Sequence, residues 1–375
     1  MKRSFILACL ILCHSIHVSA QVENIVLVTI DGLRWQEVFQ GLDHALATHE
    51  KYSERSEQLL QQFEGDPGES ARKLFPFLYN VVMKEGALIG NRDANSCAQV
   101  TNPWYFSYPG YNEILTGFGD PSIDSNRPVP NHNTTFMEWL QDEVPGFSGN
   151  VAAFASWDVF PYIFNSERSR IPVNVGRLEM ADTGFEATLN ILYEDIPSPW
   201  PTVRLDAFTH HFAMSALQQD QPRVLYIAYG ETDDFAHDGE YDQYILAAHR
   251  TDRHLAELWT YIQEDARYRD NTVLFITVDH GRGEEPLETW QHHASKKSLE
   301  GYMEALAEYE EGIIGSEAVW MAAIGPGIAS KGLVQTGENC VGSNQVATTL
   351  LKLLGLDYRE FSSQAGPPVN AILDK

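Results

Sequence analysis

Positive charge is scarce in this chain. Its 375 residues carry 26 Lys and Arg against 52 Asp and Glu, a formal net charge of −26. Such a surface repels a phosphate backbone, which excludes general nucleic-acid binding, and it also deters anionic membranes. Long hydrophobic runs are missing too. The apolar stretch at 5–13 is too short to span a bilayer, and no other segment offers about 18 consecutive apolar residues, so no transmembrane anchor is expected. Cysteine is sparse at four, without the paired Cys-x-x-Cys spacing of a thiolate metal site. Internal repeats and low-complexity tracts are absent.

What is present is ample core material. At 43% hydrophobic and 11% aromatic residues, the chain can bury a large interior, which excludes a disordered tail, a coiled coil or a disulfide-held miniprotein. The first twenty residues read as a secretory signal, with Lys2 and Arg3, the apolar run, and Val18-Ser19-Ala20 before a cleavage point. The expectation is an exported protein, periplasmic or secreted. A lipoprotein anchored through Cys13 is the weaker alternative, because Leu12 stands where a small residue is needed. Beyond the signal only Cys97 and Cys340 remain, and two cysteines alone do not reveal whether they pair.

The organisation is strand then helix, repeated. Continuous apolar runs at 24–30, 150–155, 223–228, 272–278 and 318–324 have the character of strands buried on both faces of a parallel sheet. Helical periodicity fills 75–84, 134–142, 205–218, 241–265 and 344–354. The fold class is therefore α/β, a mainly parallel central sheet with helices on both faces. Residues 21–375 are expected to form one catalytic domain. Polar or Pro-rich stretches at 44–70 and 157–201 break the rhythm and read as insertions over a sheet edge, either lids and substrate walls or solvated decoration.

Asp and His fall immediately after the apolar runs, where open α/β sheets bind ligands. Asp31 follows the first, Asp233 and His237 follow the third, and Asp279 with His280 follow the fourth. His292 and His293 lie shortly beyond. Carboxylate and imidazole donors together suit Zn2+, and there are more of them than one tetrahedral ion needs. Each residue alone has a bland reading, a helix cap or a surface histidine. Their joint placement is the signal, since capping does not also require histidines there. Ser107 stands where a helix can start over Pro109, which makes it a candidate nucleophile or a plain N-cap; position alone favours the cap.

Asp31-Gly32, Ser107-Tyr108-Pro109 with Thr116-Gly117, Asp233 with His237, Asp279-His280-Gly281 and a late histidine together resemble the alkaline phosphatase superfamily, most closely its nucleotide pyrophosphatase/phosphodiesterase branch. The resemblance covers most of the chain in the right order. It implies a three-layer fold, two Zn2+ ions and a covalent phosphoserine at Ser107. One ion would take Asp31, Asp279 and His280 with Ser107 as nucleophilic ligand; the other would take Asp233, His237 and His293. The spacing from Trp290 favours His293 over His292. Asn126, with Asn131 as second choice, is assigned to a phosphoryl oxygen.

The expected activity is hydrolysis of a small-molecule phosphate mono- or diester. A phosphoryl transferase or mutase and an inactive binding relative are the alternatives. Sulfatases of the superfamily carry Cys/Ser-x-Pro-x-Arg, and Tyr111 stands in place of that arginine, which disfavours a sulfatase. The Lys-x-Arg pair of some phosphomonoesterases is also missing from 157–201, with only Arg168 and Arg170 there, although Arg34 or Arg282 could serve as a clamp.

Overall fold

The computed structural model describes residues 22–178, 184–337 and 339–374. The signal peptide expected at 1–20 lies outside the described residues. Eight strands form the central sheet: β1 (Asn24–Ile30), β2 (Ala87–Ile89), β3 (Val151–Ala155), β4 (Val173–Asn174), β5 (Val224–Tyr229), β6 (Thr272–Thr277), β7 (Met321–Ile324) and β8 (Gly332–Leu333). Their spatial order is β8-β2-β7-β6-β1-β5-β3-β4. Strand β1 lies at the centre, parallel to β5 and β6 in an unbroken register. All three are buried along their whole length, which is why their sequences are apolar without alternation.

The sheet is parallel except at β7, which runs antiparallel to both β6 and β2. The single strand expected at 318–324 is two. Ala318–Val319 pairs within a separate three-stranded sheet, and Met321–Ile324 joins the central one. Trp320 marks the break, its buried indole donating to the Leu33 carbonyl at 3.0 Å. The helix expected at 75–84 is a π-helical turn, Leu78–Val82, followed by the single turn Met83–Glu85. There the amides of Phe77 and Leu78 are both claimed by the Asp252 carboxylate, at 2.7 and 3.1 Å.

Helices surround the sheet. Four matter for function: α1 (Ser107–Thr116), α2 (Asp206–Gln219), α3 (Glu231–Asp238) and α4 (Tyr241–Glu264). Residues 44–70 are not irregular but contain the helices His44–Ala47 and Ser56–Phe63 and the start of Pro67–Leu74. Residues 157–201 contribute the edge strand β4 and the helix Gly184–Asp195. Cys97 and Cys340 are joined by a disulfide across a sequence separation of 243. No described helix is long and apolar enough to cross a membrane.

Candidate active site

The carboxyl ends of β1, β5 and β6 lie side by side, so the residues that follow them meet. Asp31 turns out of β1 into Gly32, whose φ of +58° is a conformation open to glycine at little cost. The site also needs Gly32 for space, since a Cβ there would come within 2.8 Å of Asp233 Oδ1. The Gly32 amide donates to Asp279 Oδ1 at 3.1 Å and so ties the first turn to the third. After β6, Asp279 and His280 are fully buried. After β5 the chain enters α3 directly. Asp233 and His237 therefore sit one turn apart on a helix that was not among those read from the sequence, and the i,i+4 spacing puts both on one face.

Ser107 is the first residue of α1. The cap position belongs to Phe106, which has no side-chain cap bond, so the N-cap reading of Ser107 is wrong. Its hydroxyl points instead at the site, with Oγ 3.4 Å from His280 Nε2. All of α1 is buried, and two devices hold it in place. Glu113 accepts from both the amides and the side chains of Thr101 and Asn102, pinning the segment before the helix. Gly110 rests on the backbone of Asp279, where a Cβ would meet the carbonyl oxygen at 2.3 Å.

The donor atoms converge closely. His280 Nε2 lies 3.3 Å from Asp31 Oδ1 and 3.4 Å from Asp279 Oδ2. Both carboxylate oxygens are buried, and neither has a hydrogen-bond partner. His237 Nε2 lies 3.2 Å from Asp233 Oδ2 and 3.1 Å from His293 Nε2, and His293 is 3.6 Å from Asp233 Oδ1. Ligand atoms about 2.0–2.2 Å from one tetrahedral cation are roughly 3.3–3.6 Å apart. The donor set and its unpartnered oxygens therefore fit divalent cations. His293 Nδ1 is 3.2 Å from the Tyr105 carbonyl, and His280 Nδ1 is 2.9 Å from that of Gly281. Donation there fixes the tautomer that leaves each Nε2 lone pair facing the cluster.

Electrostatics without a cation are poor, which is itself informative. Burial and the adjacent Asp31 push the Asp279 carboxyl well above its usual range. Burial lowers His280, but Asp279 and Asp31 outweigh it and carry the imidazole up to about 9. Burial, His280 and His237 hold His293 well below the ordinary histidine value. Two buried carboxylates this close need a compensating positive charge, whether a proton or a metal.

His293 is 2% exposed and inside the cluster, whereas the His292 ring centroid is 6.5 Å from that of His237. Asn126 accepts the Tyr108 amide at 2.9 Å, at the start of α1. Asn131 is engaged elsewhere, with Asn112 and Asn133. Arg34 and Arg282 are both buried and committed. Arg34 pairs with Glu37, and Arg282 pairs with Asp233 and donates to the carbonyls of Gly32, Asp233 and Gln291. Neither is a substrate clamp. Arg168 is likewise held by Glu138.

Two neighbours carry parts that sequence reasoning did not give them. Tyr111, read from sequence as the residue in place of a sulfatase arginine, donates its hydroxyl to Asp31 Oδ2 at 2.9 Å. Arg282 anchors Asp233 instead of facing a ligand. The signal for Tyr111 was available: it lies one turn after Ser107, on the face that meets the strand ends.

No protein-family model and no curated protein matches the chain. Solved structures do. The alkaline phosphatase PafA is 10% identical, covering 94% of this chain and 99% of that one with a TM-score of 0.53. A 2-O GAG sulfatase is 14% identical over 93% and 73% of the two chains, with a TM-score of 0.53. A protein in the alkaline phosphatase superfamily from Vibrio parahaemolyticus is 13% identical over 94% and 71%, with a TM-score of 0.51. At these identities the likeness is one of fold: the chain has the architecture of the alkaline phosphatase superfamily.

Proposed function

We propose that the protein is a metal-dependent phosphoric ester hydrolase working through a covalent phosphoserine at Ser107. One observation carries this reading: a buried serine hydroxyl stands 3.4 Å from the His280 nitrogen that two unpartnered carboxylate oxygens also face. Asp31, Asp279 and His280 would hold one cation beside Ser107; Asp233, His237 and His293 would hold a second. Two Zn2+ ions held there would lower the pKa of the attacking hydroxyl and of water, and would neutralise charge on the transferring phosphoryl group.

The chain's own residues orient the reaction. Ser107 Oγ forms a bond to phosphorus as the ester P–O bond breaks, and the departing alcohol takes up a proton. Water then cleaves the Oγ–P bond and restores the Ser107 hydroxyl. The first turn of α1 presents its positive dipole end to the phosphoryl oxygens. Asn126, with its Oδ1 held by Tyr108, keeps its amide N–H groups as donors to one of those oxygens. Arg34, Arg282 and Arg168 are all committed to protein partners and so are not free to clamp a dianion, which favours a diester over a monoester. Tyr111 in place of a sulfatase arginine, its hydroxyl engaged by Asp31, argues against sulfate esters.

The segments at 44–70 and 157–201 serve as walls of this single catalytic domain. Trp200 donates to Asp238 at 2.8 Å and packs on Phe235, covering α3. Tyr52 packs edge-on against Trp290, two residues before His292. The Cys97–Cys340 bridge supports an oxidising compartment, in keeping with export.

The test is an assay on aryl phosphate diesters, aryl phosphate monoesters and aryl sulfates. It compares wild type, Ser107→Ala and chelator-treated protein with and without added Zn2+. Diester turnover that falls at least about a thousandfold in Ser107→Ala, and is lost and regained with metal, is expected. Full rate in Ser107→Ala, or faster turnover of the sulfate, overturns the proposal.

A further inference from the structure

A second cluster of metal-ligand side chains lies between α2 and α4, apart from the site around Ser107. His210 and His211 are adjacent on α2, and His254 and Glu257 are one turn apart on α4. One donor atom from each of His210, His211 and Glu257 falls within 4.8 Å of the other two. His210 is fully buried, yet its Nε2 has no hydrogen-bond partner; that nitrogen faces Glu257 Oε2 at 3.4 Å. The separation again matches two ligands of one tetrahedral ion, roughly 3.3–3.6 Å.

The surroundings prepare His210 for that role. Its Nδ1 lies 2.9 Å from the Tyr229 hydroxyl, and donation to that oxygen leaves the Nε2 lone pair facing Glu257 and His211. Burial, the neighbouring His254 and His211, and Arg253 hold His210 neutral, its pKa lowered to about 2, and a ligand imidazole must be neutral. His254 stacks on it, ring centroids 4.2 Å apart and planes 7° from parallel. Arg250, on the same helix as His254, is tied to Glu231 at 2.5 Å. Two histidines and a carboxylate are the donor types that Zn2+ and related transition ions take.

We propose that His210, His211 and Glu257 form a further divalent transition-metal site, separate from the cluster around His280, that braces α2 against α4. Tyr229 connects the two places: it closes β5, its hydroxyl faces His210, and its carbonyl accepts the Asp31 amide at 2.9 Å. The ion therefore steadies a strand end that the Ser107 site also uses, while touching none of that site's residues.

The experiment strips the full-length protein with chelator, dialyses it against Zn2+, and counts bound ions per chain by elemental analysis. It compares wild type, Glu257→Gln, His211→Ala/Glu257→Gln, and Asp279→Asn/His280→Ala. His211 and Glu257 are partly exposed, so these changes spare the core. The expected result is one equivalent fewer in both Glu257 variants with ester hydrolysis retained. A Zn2+-dependent rise in Tm should persist in Asp279→Asn/His280→Ala and become smaller when His211→Ala/Glu257→Gln is added, the remainder coming from the cation assigned to Asp233, His237 and His293. Equal stoichiometry in wild type and the Glu257 variants overturns the site, whatever the outcome at Asp279 and His280. Loss of metal only in Asp279→Asn/His280→Ala does the same while leaving the Ser107 reading intact.

Discussion

At the scale of single residues, the candidate site depends on side chains outside its donor set. Tyr111 holds Asp31 by one hydrogen bond of 2.9 Å. Partners that orient a metal ligand typically account for about 10–100-fold in affinity or activity. Tyr111→Phe keeps the ring and its packing, so Zn2+ affinity measured by competition with a chromogenic chelator should fall by that factor with little change in Tm. Gly110 tests position instead of chemistry. A methyl group there must displace α1 from the Asp279 carbonyl it would meet at 2.3 Å, and a misplacement of about 1 Å can cost roughly a hundredfold in rate. Gly110→Ala should therefore lower kcat strongly while circular dichroism reports the fold intact.

At the scale of elements, the strands were the most legible feature, because a strand buried on both faces has to be apolar throughout. Residues 24–30 and 272–277 show this directly. Helix α3 was harder to see. Its sequence, Glu231 to Asp238, is mostly polar, with too few apolar residues to show a helical period, so no helix was read there from sequence. The turn at 78–82 was hidden for another reason: Asp252, more than 170 positions away, claims the amides that begin it. That carboxyl gives a stability prediction. Burial raises Asp252 from 3.8 to about 7, against the two amide bonds that lower it. Its folded pKa exceeds its unfolded one, so the native state binds the extra proton between those values. Its contribution is complete below about pH 4 and is lost as pH rises toward 7, at up to about 1.4 kcal/mol per unit. Asp252→Asn should flatten that part of the urea-unfolding profile; an unchanged slope contradicts the assignment.

At the scale of the whole molecule, a chain of net charge −26 gathers its acidic and imidazole donors at one sheet edge. On the proposed reading, a cation pair there would confine attraction for an anionic ester to the cleft while the remaining surface stays negative. Asp31, Asp233 and Asp279 could be singled out because each comes just after a strand. Their partners could not, since Arg282 with Asp233 and Tyr111 with Asp31 depend on contacts that no spacing encodes. Pairing of Cys97 with Cys340 was undecided for the same reason: two cysteines 243 positions apart carry no information on distance. Cys97→Ser/Cys340→Ser should lose about 2–4 kcal/mol of stability in denaturant unfolding. Activity at room temperature should persist, because neither cysteine lies among the site residues.

The central claim is that the Ser107 hydroxyl becomes covalently phosphorylated at a metal-dependent site, and acid-quenched turnover followed by peptide mass spectrometry tests it most directly. With an aryl phosphate ester and Zn2+ present, the account predicts phosphate on the peptide containing Ser107, absent in chelator-treated protein and in Ser107→Ala. Turnover at full rate with that peptide unmodified, or label on another residue, would contradict it.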